Sequence, residues 1–216
     1  MNEGLTKQKA ETARLLAWLL TQPDEEMVEA LSSGEIYRFF AHYLGTDNGN
    51  ALILKELLPE DEQTNLLNKM KEEYQRLFQN PISKDWWWVE SVHKRWTNDP
   101  DCGLPLAKEK GYVMGDSALH MIELYRSLGI RIPDEFSGMP DHIILELEFL
   151  ALLLESCSED AVKTFLKDHL DWIPEMMRCG RSHNPSPFYQ SVFALIERVI
   201  QSETMQNRKE ATINAG

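Results

Sequence analysis

The stretch Met139-Pro140-Asp141-His142-Ile143-Ile144-Leu145-Glu146-Leu147-Glu148-Phe149-Leu150-Ala151-Leu152-Leu153-Leu154-Glu155 decides how this chain is read. Pro133 and Pro140 disfavour helix in the residue before each, so Ile130 to Met139 is expected to be extended. The Pro140-Asp141-His142 step then runs into a strongly apolar helix, predicted over His142 to Glu155. Asp141 stands where an N-cap or first-turn acid belongs. His142 and Glu146 are four apart and share a helix face. Glu148 lies two steps of about 100° beyond Glu146, so one helix cannot aim all three groups at one point. This pattern points to a polar recognition site at a helix N-terminus rather than to a reaction centre.

Outward from this stretch, helical period dominates. Ala13, Leu16, Ala17 and Leu20 recur at i, i+3, i+4 and i+7 and predict a first helix. Pro23 breaks it, and Asp24 caps a second helix through Met27, Val28 and Leu31. Ile36, Phe39, Phe40 and Tyr43 predict a third, ending near Gly45, followed by a polar loop from Thr46 to Asn50. Glu62 to Phe78 reads as a longer amphipathic helix stopped by Pro81. Residues 82–110 read as a long loop with one short helical turn. Val113 to Leu128 is predicted helical, with Gly115-Asp116-Ser117 as its first turn and Gly129 as its stop. Ser158 caps a helix over Glu159 to Leu170, and Asp171 caps a short one through Met177. Ser186-Pro187 opens a last helix from Phe188 to about Met205. No segment alternates apolar and polar residues as a strand would. The expected architecture is an all-α, single-domain helical bundle over residues 1–205, with a frayed polar tail over 206–216.

Composition narrows the function. The 216 residues are 43% hydrophobic and 26% charged, ordinary for a globular protein. The net charge of -13 disfavours nucleic acid and anionic membranes and favours basic partners. Between Asp134 and Asp160 lie eight acids and no Lys or Arg, the pattern of an acidic face. The longest apolar run, Phe149 to Leu154, is far shorter than the roughly 20 residues of a membrane span. The start carries no secretory pattern, and Cys102, Cys157 and Cys179 form no Cys-x-x-Cys pair. A cytoplasmic setting without stable membrane insertion is therefore expected.

No nucleophile elbow, phosphate-cradling loop or dinucleotide fingerprint occurs. No catalytic residue, metal site or cofactor is assigned from the sequence. The rival reading is a metal-dependent hydrolase using His142 and nearby carboxylates. Trp86-Trp87-Trp88 is the second feature of note. Three consecutive side chains cannot all face one core, so at least one indole is expected at a groove or interface. A neutral-range His142 beside carboxylates is expected to suit a guanidinium partner.

Several short motifs in one order then resemble the TorD-like family of redox-enzyme maturation chaperones, the group that includes TorD, DmsD and NarJ. The resemblance runs from about Ala10 to Gln201. It rests first on Pro140-Asp141-His142 with Glu146-Leu147-Glu148-Phe149-Leu150. Tyr74-Gln75-Arg76-Leu77-Phe78, Val89-Glu90-Ser91-Val92, Gly115-Asp116-Ser117, His169-Leu170-x-Trp172 and Pro187-Phe188-Tyr189 follow the family's order. The resemblance implies an all-helical cytoplasmic chaperone and not an enzyme. Its implied partners are the apo catalytic subunit of a molybdoenzyme and that subunit's twin-arginine signal peptide, held until the cofactor is inserted and Tat export follows. It implies a client groove formed by Leu77, Phe78, Trp87, Trp88, Glu90, Ser91, Asp141 and His142, extended by Glu146 and Glu148. It also allows a monomer or a helix-exchanged dimer.

Overall fold

The computed structural model describes residues 3–59, 62–79, 87–180 and 183–213. All regular elements among them are helical, joined by one isolated antiparallel bridge. The chain runs α1 (Glu3–Leu19), α2 (Glu25–Ser32), α3 (Glu35–Leu44), α4 (Asn48–Lys55) and α5 (Gln63–Tyr74), the last widening into a π turn over Gln75–Gln79. Then come α6 (Glu90–His93), α7 (Asp116–Ser127), α8 (Ile143–Ser156), α9 (Glu159–His169), α10 (Ile173–Gly180) and α11 (Pro187–Ile213). No helix among the described residues is long and apolar enough to cross a membrane.

The apolar stretch is the centre of the molecule. Ile143, Leu147, Phe149, Leu150, Ala151, Leu153 and Leu154 of α8 are all buried, so the helix is apolar nearly all round, as a central helix must be. Its most extensive partner is α1. Ala10, Ala13 and Ala17 of α1 are fully buried, and these small side chains let the two helices approach. Burying leucines such as Leu147 and Leu150 stabilises by about 1.5–3 kcal/mol each. Arg14 on α1 donates two hydrogen bonds, each 2.6 Å, to Glu155 at the far end of α8. Both groups are partly exposed, so this pair fixes the crossing more than it stabilises it.

Several local expectations hold, and others need correction. Asp24 and Ser158 cap α2 and α9 by accepting from Met27 N and Ala161 N. The expected loop from Thr46 to Asn50 ends at Asp47: Asn48 to Asn50 instead start α4, because Asp47 accepts from Asn50 N and so caps a new helix. α11 continues to Ile213, past the expected end near Met205. Within the long connection, residues 82–86, including Trp86, lie outside the described residues. The rest is held by backbone pairs: Trp96 N–H donates to Glu109 O, Thr97 N–H to Ala107 O and Asp116 N–H to Trp96 O. Gly115 makes that last approach possible, since a Cβ there would sit 2.5 Å from Trp96 O.

Candidate functional site

Trp88-Val89-Glu90 lies antiparallel to Asp141-His142-Ile143 as a single bridge between Val89 and His142. Glu90 N–H donates to Asp141 O and Ile143 N–H donates to Trp88 O, each at 2.9 Å. The two parts of the sequence read as a groove, 50 residues apart, are therefore clamped together at the N-terminus of α8.

The cap roles differ by one residue from expectation. His142, not Asp141, is the N-cap of α8, and its Nδ1 accepts from Ile144 N at 3.3 Å. Asp141 caps a different helix: its Oδ2 accepts from Ser91 N, in the first turn of α6, at 2.6 Å. His142 also packs against the Phe136 ring, with centroids 5.0 Å apart. Burial of the imidazole lowers its pKa to about 4, which corrects the expectation of a neutral-range titration and agrees with an accepting Nδ1.

Behind the clamp lies a buried polar line. Glu90 is wholly buried; its Oε2 is 2.7 Å from His169 Nδ1 and its Oε1 is 2.7 Å from Lys94 Nζ. His169 Nε2 is 2.7 Å from Nδ1 of the exposed His120, and Lys94 Nζ is 2.5 Å from Asp171. Burial pushes the Glu90 carboxyl up, but His169 and Lys94 together pull it down, and the balance lies below the ordinary value. Glu146, also wholly buried, accepts at Oε2 from Trp172 Nε1 at 3.1 Å. Among the described residues no cation pairs with it. Burial first, then Glu90 and Asp141, raise its pKa well above the ordinary carboxylate range. Burial likewise raises Asp141.

Glu90, Glu146 and His169 offer ligand atoms within 4.8 Å of one another. The 2.7 Å separation of Glu90 Oε2 and His169 Nδ1 is that of a hydrogen bond. Two ligands around one tetrahedral ion with bonds near 2.1 Å stand about 3.4 Å apart. Glu90 and His169 are thus arranged as a hydrogen-bonded pair, and Glu146 is held by Trp172. His142 is not in this cluster, so the hydrolase reading, built on His142 with nearby carboxylates, has no support in the geometry.

Of the residues expected in the groove, Leu77, Trp88, Glu90, Ser91, Asp141 and Glu146 are buried. Phe78, Trp87 and His142 are half-buried, and Glu148 is exposed. Trp88 joins an aromatic nest, with centroids 4.8 Å from Phe78 and 4.9 Å from Phe193, while Phe78 lies 5.3 Å from Tyr189. Nor is the Asp134–Asp160 stretch one acidic face: Asp141 and Glu146 point inward, and Glu155 is bound to Arg14. His169, His120, Trp172 and Lys94 lie outside the expected groove. The His169-Leu170-x-Trp172 motif was the available signal, since it supplies two partners of the buried carboxylates.

A model of the nitrate reductase delta subunit family matches residues 44–178, which include the whole clamp. The chaperone protein TorD of Shewanella loihica is 24% identical over 198 residues, covering 88% of each chain. Two chain segments clamped together on an all-helical frame agree with those matches: the chain belongs to the nitrate reductase delta subunit family, the TorD-like chaperones of redox-enzyme maturation.

Proposed function

We propose that the protein acts in the cytoplasm, without turnover, on the apo catalytic subunit of a molybdenum-cofactor oxidoreductase, and that it holds that subunit's twin-arginine leader before Tat export. One observation carries this reading: the carboxylates of the clamp are engaged inside the fold. Of the expected groove residues beside them, Phe78, Trp87 and His142 stay half-exposed, groups suited to contacting a client. In this reading those three touch the client. Leu77, Trp88, Glu90, Ser91, Asp141 and Glu146 hold them in place, and Glu148 adds charge on the exposed flank. The net charge of -13 favours a basic ligand.

Calorimetric titration of a peptide with paired arginines and an apolar run tests the reading. Binding is expected at low salt, weakening roughly tenfold at about 0.5 M salt as exposed charge pairs are screened. Absence of heat and of displacement at low salt would overturn it.

A further inference from the structure

The clamp's carboxylates are buried and Glu148 adds a single charge beside them, so paired guanidinium groups call for further exposed acids. Those acids stand around a groove of about 820 Å³ between α1, α2 and α3. Its floor is apolar: Leu15 and Trp18 from α1 and Phe39 from α3 are half-buried and rest on the core. Its rim is acidic: Glu26 and Glu29 from α2 and Glu35 from α3 are exposed. Glu11 adds a fourth carboxylate, and Leu15 and Trp18, four and seven residues on, share its face of α1. Arg38, the one cation lining the groove among the described residues, is turned to its own helix start, with Nη1 donating to Ser33 O at 2.9 Å. Glu11 is shared with Lys7 at 3.9 Å, and Glu26, Glu29 and Glu35 against one guanidinium leave the rim negative. The turn that sets α2 against α3 passes through Gly34 at φ +73°, a conformation favouring glycine, so the rim acids are held on ordered elements.

We propose that this groove docks a basic amphipathic segment of the client, one that presents closely spaced guanidinium groups beside an apolar face. The charge and the floor select that occupant together. An acidic rim pairs with guanidinium groups. A half-buried indole takes either an apolar side chain or a guanidinium over its face. The volume lies toward the upper part of the range of about 300–1,000 Å³ seen for ligand clefts, enough for a few side chains of a peptide. The proposal rests on the reading that the protein holds an arginine-bearing leader.

The test uses the full chain and the same paired-arginine peptide. The variant is Glu26→Gln with Glu29→Gln and Glu35→Gln, three exposed positions whose replacement leaves the core untouched. Circular dichroism melting confirms that it folds. The wild-type chain is expected to bind, and the triple variant at least tenfold more weakly. A second variant with lysine at those three positions is expected to prefer a peptide carrying glutamate in place of its arginines. Wild-type binding with unchanged affinity in the glutamine variant overturns the groove and leaves the leader reading standing. No wild-type binding overturns both. Light scattering covers the remaining occupant: a dimer that the triple variant dissociates, with peptide affinity unchanged, gives the groove to a second copy and overturns the proposal.

Discussion

Glu90→Ala is expected to lower the melting temperature by roughly 10 °C. Glu90 is wholly buried, yet it is the common partner of His169 at 2.7 Å and Lys94 at 2.7 Å. Removing the shared partner of a buried polar network strands a desolvated group, at a cost of about 3–5 kcal/mol. In a chain of this length each kcal/mol moves the transition by about 2–4 °C. Lys94 keeps Asp171, so the loss falls mainly on His169. Glu90→Gln, which keeps the shape and an acceptor for His169, is expected to lose less than the alanine variant. Scanning calorimetry at neutral pH decides this: an alanine variant melting within about 2 °C of wild type would remove the network from the account.

Glu146→Gln is expected to do the opposite at alkaline pH. A carboxyl whose folded pKa is raised keeps its proton where the unfolded chain has lost it. The fold therefore loses stability as pH climbs from the ordinary carboxylate value to the raised one. Glutamine retains an oxygen for the Trp172 N–H and has no proton to lose. The variant should thus melt above wild type near pH 8, by an amount on the order of 1 kcal/mol or more. The two proteins should converge near pH 4. Glu90 contributes with the other sign: its depressed pKa gives stability above the ordinary carboxylate value that is lost as pH falls. Melting curves across pH 4 to 9 separate the two, and parallel curves for wild type and Glu146→Gln would show that Glu146 is ionised in the fold.

The helices were legible because their apolar period and caps are local. The apolar stretch alone identified α8, and Asp24 and Ser158 marked their helix starts. α4 was missed because Asn48-Gly49-Asn50 is poor helix material, and only the Asp47 cap signals it. The clamp was legible as two motifs but not as a clamp. Asp141 caps α6 across 50 residues, and no local rule assigns a cap to a helix that far away. The opposite fates of Glu146 and Glu148 were readable from their angular separation, since one lies inside and the other outside α8. The depressed pKa of His142 was not, because it depends on how Phe136 and its neighbours cover the ring.

The account turns on what the native protein carries. Affinity purification from its own cells, followed by mass spectrometry of the partner and metal analysis of that partner, addresses this directly. The account predicts a molybdoenzyme catalytic subunit with its twin-arginine leader intact and its cofactor absent. Recovery of that subunit only in a leader-processed, cofactor-loaded form, or of no oxidoreductase at all, would contradict it.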